Sequence, residues 1–220
     1  MRAIFASPLY TGARGAKARA EPGGFLAFNA CHWLPLLGHL TGARLEELAQ
    51  LRPEDVRLEP VPHLILTEEG EGQSVKTGGS RRAVPVHPEL VRLGFLRFAA
   101  DRRAAGAAWL FPELTVSPDG RRSAAWSKWW GRFTAKLGLA DPRLVFHSWR
   151  HSFKSACRAA AIPEDVHDGL TGHAGGGVGR RYGARELLVL AREMARIVPS
   201  PALAGVPVYR PERGPAPARG

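Results

Sequence analysis

The sequence predicts an α+β protein that is mainly α-helical and contains one small three-stranded antiparallel sheet. Apolar residues recur at helical spacing in most of the chain, and they alternate with polar residues only between positions 56 and 86. Residues 1–24 are basic and rich in glycine and alanine, a composition that predicts an irregular arm. Residues 198–220 hold six of the eighteen prolines and predict a disordered tail. One folded domain is therefore expected over 25–197.

Two helices are predicted at the start of this domain. Apolar residues line one side of a helix between Trp33 and Leu40, with Pro35 in the first turn or at a kink. Thr-Gly at 41–42 interrupts the pattern, which resumes over 45–51. The second helix is expected to stop at Pro53, because proline cannot continue the helical hydrogen bonding.

Three short strands and four further helices follow. The strands are predicted from pairs of apolar residues two positions apart, which are Val56 and Leu58, Leu64 and Leu66, and Val84 and Val86. A polar turn over 71–82 lies before the third strand, which favours an antiparallel arrangement. The helical pattern then returns in four stretches, 88–106, 123–139, 148–161 and 185–197.

The charge of the chain indicates a polyanionic partner. Thirty-one lysines and arginines against twenty aspartates and glutamates give a formal net charge of +11 and a pI near 10.7. Nucleic acid is the partner that such a surplus favours. An anionic membrane is disfavoured, because no basic amphipathic helix is dense enough to bind a bilayer surface. Trp126, Trp129 and Trp130 are interpreted as packing residues rather than as platforms for bases.

Cysteine usage and hydropathy indicate the compartment. Cys31 and Cys157 form no CxxC pair, so neither a disulfide framework nor a structural zinc site is predicted. No apolar run approaches the ~18 residues of a membrane span, and residues 1–12 lack the apolar centre of a signal peptide. A cytoplasmic protein is expected.

Several polar residues lie in otherwise apolar surroundings, and each taken alone has an ordinary structural explanation. Arg44 can cap carbonyl groups or pair with Glu47. His147 and Arg150 lie three positions apart, so they share one face of a helix start, where a structural hydrogen-bond node explains them equally well. Lys76 lies in the polar turn, where a solvated lysine is the ordinary case.

A last pair completes a set with a joint chemical use. His173 precedes Tyr182 by nine positions, in a stretch with four glycines between them. Arginine and histidine supply donors that suit phosphate oxygens. Lysine and histidine can also move protons, and tyrosine can attack phosphorus and hold the phosphoryl group covalently.

Four segments carry this set in order: TGARLEEL at 41–48, VKTGGSRRAVPVH at 75–87, HSWRHSF at 147–153 and LTGHAGGGVGRRYG at 170–183. In residues and spacing they resemble the catalytic domain of the tyrosine recombinases, the phage-integrase family. The resemblance implies a DNA breaking-rejoining fold and strand exchange without metal or cofactor. It implies six catalytic residues, which are Arg44, Lys76, His147, Arg150, His173 and the nucleophile Tyr182.

The resemblance also implies partners and a use for the glycine-rich stretch. Such enzymes act as homotetramers on two DNA sites, and the helix over 185–197 can either dock on a neighbouring protomer or pack within its own. The four glycines restrict the backbone little, so the stretch is interpreted as an arm that carries Tyr182 into and out of the site. A bacterial mobile element is the expected source.

The sequence departs from the family in ways that leave alternatives open. Ser148-Trp149 and Thr171 replace residues usual in the family, and the segment before the first core helix is too short for the usual DNA-clamping domain. A DNA-binding remnant or regulatory fragment with weak or no catalysis is the main alternative. A type IB topoisomerase is disfavoured by His147, where that family commonly has lysine. A metal-dependent nuclease is disfavoured because no carboxylate cluster is evident.

Overall fold

The computed structural model describes residues 1–67, 81–141, 143–172 and 184–211. Helices dominate, and three strands form one antiparallel sheet. The predicted class, mainly α with a small three-stranded antiparallel sheet, is confirmed. The described helices are α1 (Arg2–Phe5), α2 (Pro8–Thr11), α3 (Ala30–Thr41), α4 (Leu45–Ala49), α5 (Pro88–Arg92), α6 (Phe95–Ala104), α7 (Ala124–Lys136), α8 (Ser148–Ala159), α9 (Glu164–Thr171) and α10 (Ala184–Met194).

The sheet has the order β1-β2-β3 and consists of β1 (Val56–Arg57), β2 (His63–Leu66) and β3 (Arg82–Pro85). Leu64 of the central strand pairs with Val56 on one side and with Val84 on the other. All three side chains are buried, so this face of the sheet packs into the core. The β2–β3 connection, residues 68–80, lies outside the described residues.

Helix α3 is the central element of the core. Its N-terminus is capped by Asn29, whose side chain accepts a hydrogen bond from the backbone N–H of Cys31 at 3.1 Å. It ends at Gly42, which adopts the left-handed conformation with φ +64°. Pro35 lies inside the helix rather than in its first turn. Because almost the whole helix is apolar, it is buried on every side and packs against α2, α4, α5 and α8.

The single helix predicted over 88–106 is two helices, and the C-terminal segment explains the break. Gly94, between α5 and α6, has φ +88°, and a Cβ there would lie 2.9 Å from the backbone oxygen of Tyr209. Tyr209 donates its backbone N–H to Leu93 at 2.8 Å and its hydroxyl to Asp101 at 2.9 Å. Gly94 therefore permits both the turn between α5 and α6 and the close approach of the C-terminal segment at Tyr209.

Both ends of the chain differ from the sequence expectation. Residues 2–11 are mostly helical rather than irregular, and Phe5 and Tyr10 are almost fully buried. Residues 198–211 pack on the domain instead of forming a disordered tail, because Leu203 and Val206 enter the core. Residues 212–220 of the expected tail lie outside the described part of the chain.

The last two helices precede and follow residues 173–183, which are outside the described part of the chain. Helix α9, which no sequence pattern predicted, has Glu164 and Asp165 in its first turn and is followed by Gly172 in the left-handed conformation. Helix α10 packs against β3 of its own chain and buries Leu187, Leu190 and Met194. Packing within its own chain, one of the two arrangements predicted for this helix, is present in this structure; docking on a neighbouring protomer stays a prediction.

Helix α7 carries the three neighbouring tryptophans. Trp126 and Trp130 are buried with their rings stacked at a centroid distance of 5.2 Å, as predicted for packing residues. The ring of Trp130 also lies near the ring of Trp149 of α8, with 6.4 Å between the two centroids. Trp129 is only half-buried, and its ring stacks on Phe133 instead.

Candidate active site

The junction between α3 and α4 positions the first predicted site residue. Arg44 precedes α4, and its backbone N–H donates to Glu47 at 2.7 Å. The Arg44 guanidinium also donates to Glu47, at 2.9 Å from Nη1 to Oε1. About 30% of the Arg44 side chain stays exposed, against 3% for Glu47. Glu47 therefore fixes Arg44 at the rim of the core while leaving part of its guanidinium accessible.

A second arginine binds Glu47 from the sheet. Arg82, the first residue of β3, donates from Nη1 and Nη2 to the two carboxylate oxygens of Glu47 at 3.0 and 2.9 Å. Such a bidentate pair is geometrically specific. Its Nε donates to the Leu170 carbonyl at 2.9 Å. Arg82 thus links α4, the sheet and the end of α9.

Arg150 is the third arginine at this point. It lies in the first turn of α8, only 2% of its surface is exposed, and its Nη1 donates to the Gly42 carbonyl at 3.0 Å. Gly42 is two residues from Arg44, so the two arginines predicted to bind one phosphate are brought together. We call Arg44, Glu47, Arg82 and Arg150 the arginine cluster.

The electrostatics of the arginine cluster favour an anion. Burial, reinforced by the nearby charges of Arg44 and Arg82, lowers the pKa of Arg150 to about 10, although Glu47 and Asp168 oppose this shift. Burial would raise the pKa of Glu47, but the hydrogen bonds and charge of Arg82, together with Arg44, outweigh burial and leave the pKa below its ordinary value. The cluster contains three guanidinium groups and one carboxylate, so its formal charge is positive.

A basic groove extends from the cluster along α8. Its volume is about 260 Å³. His147 lies at the start of the helix, with its ring 5.1 Å from the ring of His151. Lys154 forms a 2.7 Å ion pair with Asp168 of α9. The groove is lined by His147, Arg150, His151, Lys154, Ser155 and Arg158.

The structure brings three of the six predicted residues to one place. Arg44 and Arg150 meet in the arginine cluster, and His147 shares the groove with Arg150. Lys76, His173 and Tyr182 lie outside the described residues. Two described residues near them in the sequence reach the cluster: Arg82, six positions after Lys76, belongs to it, and Gly172, directly before His173, lies beside Arg82.

Two residues of the cluster were not predicted as functional. Glu47 was considered only as an ordinary partner of Arg44, and Arg82 was not singled out. Glu47 follows Arg44 by three positions, which is a capping-box spacing and a usable signal. The contact of Arg82 with Leu170 spans 88 positions, and no local pattern could have predicted it.

No protein-family model matches the chain, and no curated protein matches it. Among solved structures, the chain is similar to the integrase from mycobacterium phage Brujita, with 18% sequence identity and a TM-score of 0.48. The similarity covers 79% of this chain and 55% of that integrase. The chain therefore spans little more than half the length of that protein.

Neither a membrane-spanning helix nor a group of metal ligands occurs among the described residues. None of the helices in this part of the chain is long and apolar enough to cross a membrane. Within the same ranges, no three histidine, cysteine, aspartate or glutamate side chains are grouped as metal ligands would be.

Gly172→Ala is expected to lower the free energy of unfolding by about 1–2 kcal/mol, because φ there is +68° and alanine is strained in this region. The added Cβ would also lie 2.8 Å from Nη1 of Arg82 and displace it from Glu47. Urea unfolding measures the change. Gly131→Ala is the matched control, because nothing lies within 4 Å of that position. It should stabilise α7 by roughly 0.5–1 kcal/mol, and an equal loss in both variants would contradict the prediction.

Proposed function

We propose that this chain is the catalytic domain of a tyrosine recombinase, which cleaves and rejoins double-stranded DNA through a 3′-phosphotyrosyl intermediate. One observation carries the proposal. Arg44 and Arg150, which are far apart in the sequence, lie together around Glu47 at the end of a basic groove. Fixed, partly desolvated arginines suit the non-bridging oxygens of a phosphodiester.

In the proposed cleavage step, the phenol oxygen of Tyr182 attacks the scissile phosphorus. The new P–O bond to tyrosine forms as the P–O bond to the 5′-oxygen of the next nucleotide breaks. His147 accepts the phenol proton, and Lys76 donates a proton to the departing 5′-oxygen. A 5′-hydroxyl of a second strand reverses these transfers and completes the exchange, so one ester replaces another and no external energy source is needed.

The arginine cluster is proposed to stabilise the negative charge of the transition state. Charge accumulates on the phosphoryl oxygens in the transition state, and Arg44, Arg150 and His173 are proposed to donate hydrogen bonds to them. Donors that are already in place need no reorganisation, and each is worth on the order of 3 kcal/mol of transition-state stabilisation. Acid–base help from a residue such as Lys76 or His147 adds about 10²–10⁴-fold to the rate.

Capture of the covalent intermediate tests the proposal even though the target sequence is not defined. The protein is mixed, in EDTA, with a library of nicked duplexes of random sequence, and the reaction is stopped with detergent. Protein-linked DNA is then isolated, digested with protease and sequenced. We expect a protease-sensitive adduct with one enriched sequence, linked through a 3′-phosphate, and no adduct with Tyr182→Phe.

The alternative, a DNA-binding remnant without catalysis, gives a different result. Wild type and Tyr182→Phe would then retain the same duplexes under native conditions, and neither would yield an adduct after detergent. That outcome would overturn the catalytic proposal and leave DNA binding as the function. An adduct that persists in Tyr182→Phe would reject this tyrosine as the nucleophile.

A further inference from the structure

A second positively charged pocket lies between the N-terminal segment and α7, and it shares no residue with the groove along α8. Its volume is about 340 Å³. It is lined by Ala16, Lys17, Arg19, Ala20, Trp129, Arg132, Phe133 and Lys136. We call it the α7 pocket. Nothing in the proposed cleavage step uses it.

One wall of the α7 pocket is a closed loop rather than a loose arm. Ala13 and Phe25 exchange two backbone hydrogen bonds, both of 2.8 Å, and close the loop between them. Arg19 is 8% exposed, its Nε donates to the Ala16 carbonyl at 3.2 Å, and its guanidinium lies 5.4 Å from the ring of Phe25. Arg19 is therefore held in place before any ligand binds.

The other wall is the exposed side of α7. Arg132 and Lys136 are exposed and lie one turn apart, so their charged ends project from the same face. Beside them, the half-buried ring of Trp129 stacks on Phe133 with a centroid distance of 5.1 Å and an interplanar angle of 14°. The wall thus combines two cations with an aromatic surface.

The four cations of the α7 pocket have no anionic counterpart. None of its lining residues is acidic, and within the described ranges none of Lys17, Arg19, Arg132 and Lys136 forms a salt bridge with a carboxylate. The acid on the same loop, Glu21, pairs instead with Arg14 at 2.7 Å. The repulsion among the four charges is relieved most directly by a bound anion.

We propose that the α7 pocket binds the phosphodiester backbone of nucleic acid at a site separate from the catalytic centre. Lys17, Arg132 and Lys136 contact phosphate oxygens, the buried Arg19 adds positive charge to the wall behind them, and Trp129 packs against a neighbouring sugar or base. The aromatic rings of the pocket are buried or half-buried rather than fully exposed, which fits a nucleic-acid strand better than insertion into a bilayer. This inference shares the DNA partner of the proposed function, but it depends on the pocket alone.

The test compares two triple variants with the same reduction of charge. Lys17→Ala/Arg132→Ala/Lys136→Ala empties the α7 pocket of its exposed cations and leaves the structural Arg19 in place. Arg57→Ala/Arg97→Ala/Arg192→Ala removes three exposed arginines elsewhere. Both are made in Tyr182→Phe protein, and anisotropy of a labelled mixed-sequence duplex gives the binding constant at several salt concentrations. Because binding is measured and not cleavage, the result is independent of whether Tyr182 is a nucleophile.

The slope of log Kobs against log[salt] falls by about 0.9 for each DNA phosphate that the protein no longer neutralises. We expect the pocket variant, which lacks three phosphate contacts, to reduce this slope by roughly 2.7 and the control variant to change it by less than about 0.5. Equal reductions would show a general effect of charge and overturn the proposal, as would an unchanged slope. Binding to vesicles of anionic phospholipid that disappears only in the pocket variant, with the DNA slope unchanged, would assign the pocket to a membrane instead.

Single variants keep the test valid if the triple variant unfolds. Arg132→Ala and Lys136→Ala alter only exposed side chains of α7, and alanine is the best helix former. Each is expected to lower the salt slope by about 0.9 without a change in thermal unfolding. Two folded single variants with wild-type slopes would overturn the proposal.

Discussion

Arg150→Ala is expected to slow formation of the covalent adduct by about 10²–10³-fold at saturating DNA, while the affinity for DNA changes much less. The reason is the position of the side chain. Arg150 is almost completely withdrawn from solvent, and its guanidinium is fixed by the Gly42 carbonyl at 3.0 Å. Water cannot reproduce a fixed cationic donor at that point, so the transition state loses more stabilisation than the bound substrate does.

Arg150→Lys separates charge from geometry. Lysine keeps the positive charge but lacks the planar fork that can hold a carbonyl and a phosphate oxygen together. We therefore expect a reduction in rate of the same order as in Arg150→Ala. Single-turnover rates of adduct formation, measured on the sequence enriched from the nicked library, give the comparison.

Arg97→Ala is the matched control for these variants, since it removes the same charge from the exposed surface of α6. Its rate at saturating DNA should equal that of wild type. Thermal unfolding of each variant checks the fold, because Arg150→Ala also removes a donor from Gly42. If Arg150→Ala cleaves as fast as Arg97→Ala, the arginine cluster is not the phosphate site.

Local pattern predicted the elements that carry the arginine cluster, because each is long or sharply bounded. The apolar repeat of α3 and the Thr-Gly break before Arg44 are present in the structure, and three strands form in the predicted region, although Leu58 lies beyond β1 and is exposed. Helices α1 and α2 have four residues each. They are too short for a periodic pattern to emerge, and tertiary burial of Phe5 and Tyr10 stabilises them.

The structural features that the sequence could not show depend on contacts between distant segments. The helix break at Gly94 depends on Tyr209, near the other end of the domain, and the proline-rich composition after 198 conceals the buried Leu203 and Val206. Arg82 becomes part of the site only through its contacts with Glu47 and Leu170. The spacing of the motifs indicated which residue types belong to the site, and tertiary packing determines which of these residues lie together.

The position of Glu47 leads to a second large effect, on stability. Glu47→Gln is expected to lower the free energy of unfolding by about 3–5 kcal/mol at pH 7, because removing one partner leaves buried charges uncompensated. The glutamine amide has one oxygen, so its NH₂ group must face a guanidinium of Arg82 or Arg44 where the carboxylate accepted three charged hydrogen bonds. Arg150, already destabilised as a cation by burial, would lose one of the two opposing charges that favour its protonated form, the other being Asp168.

Glu46→Gln is the control, because it removes the same charge one residue away. Among the described residues, Glu46 accepts hydrogen bonds from the backbone N–H groups of Arg122 and Ser123, at 2.9 and 3.0 Å, so a decrease of about 1 kcal/mol is expected. The pKa of Glu47 is lower in the folded protein than in the unfolded chain. Its contribution is therefore complete above the unfolded pKa, about 4.3, and is lost as the pH falls through the folded value. The stability difference between wild type and Glu47→Gln should narrow in that acidic range. Urea unfolding between pH 7 and pH 3 would contradict this account if the difference stayed constant, or if Glu47→Gln cost no more than Glu46→Gln at pH 7.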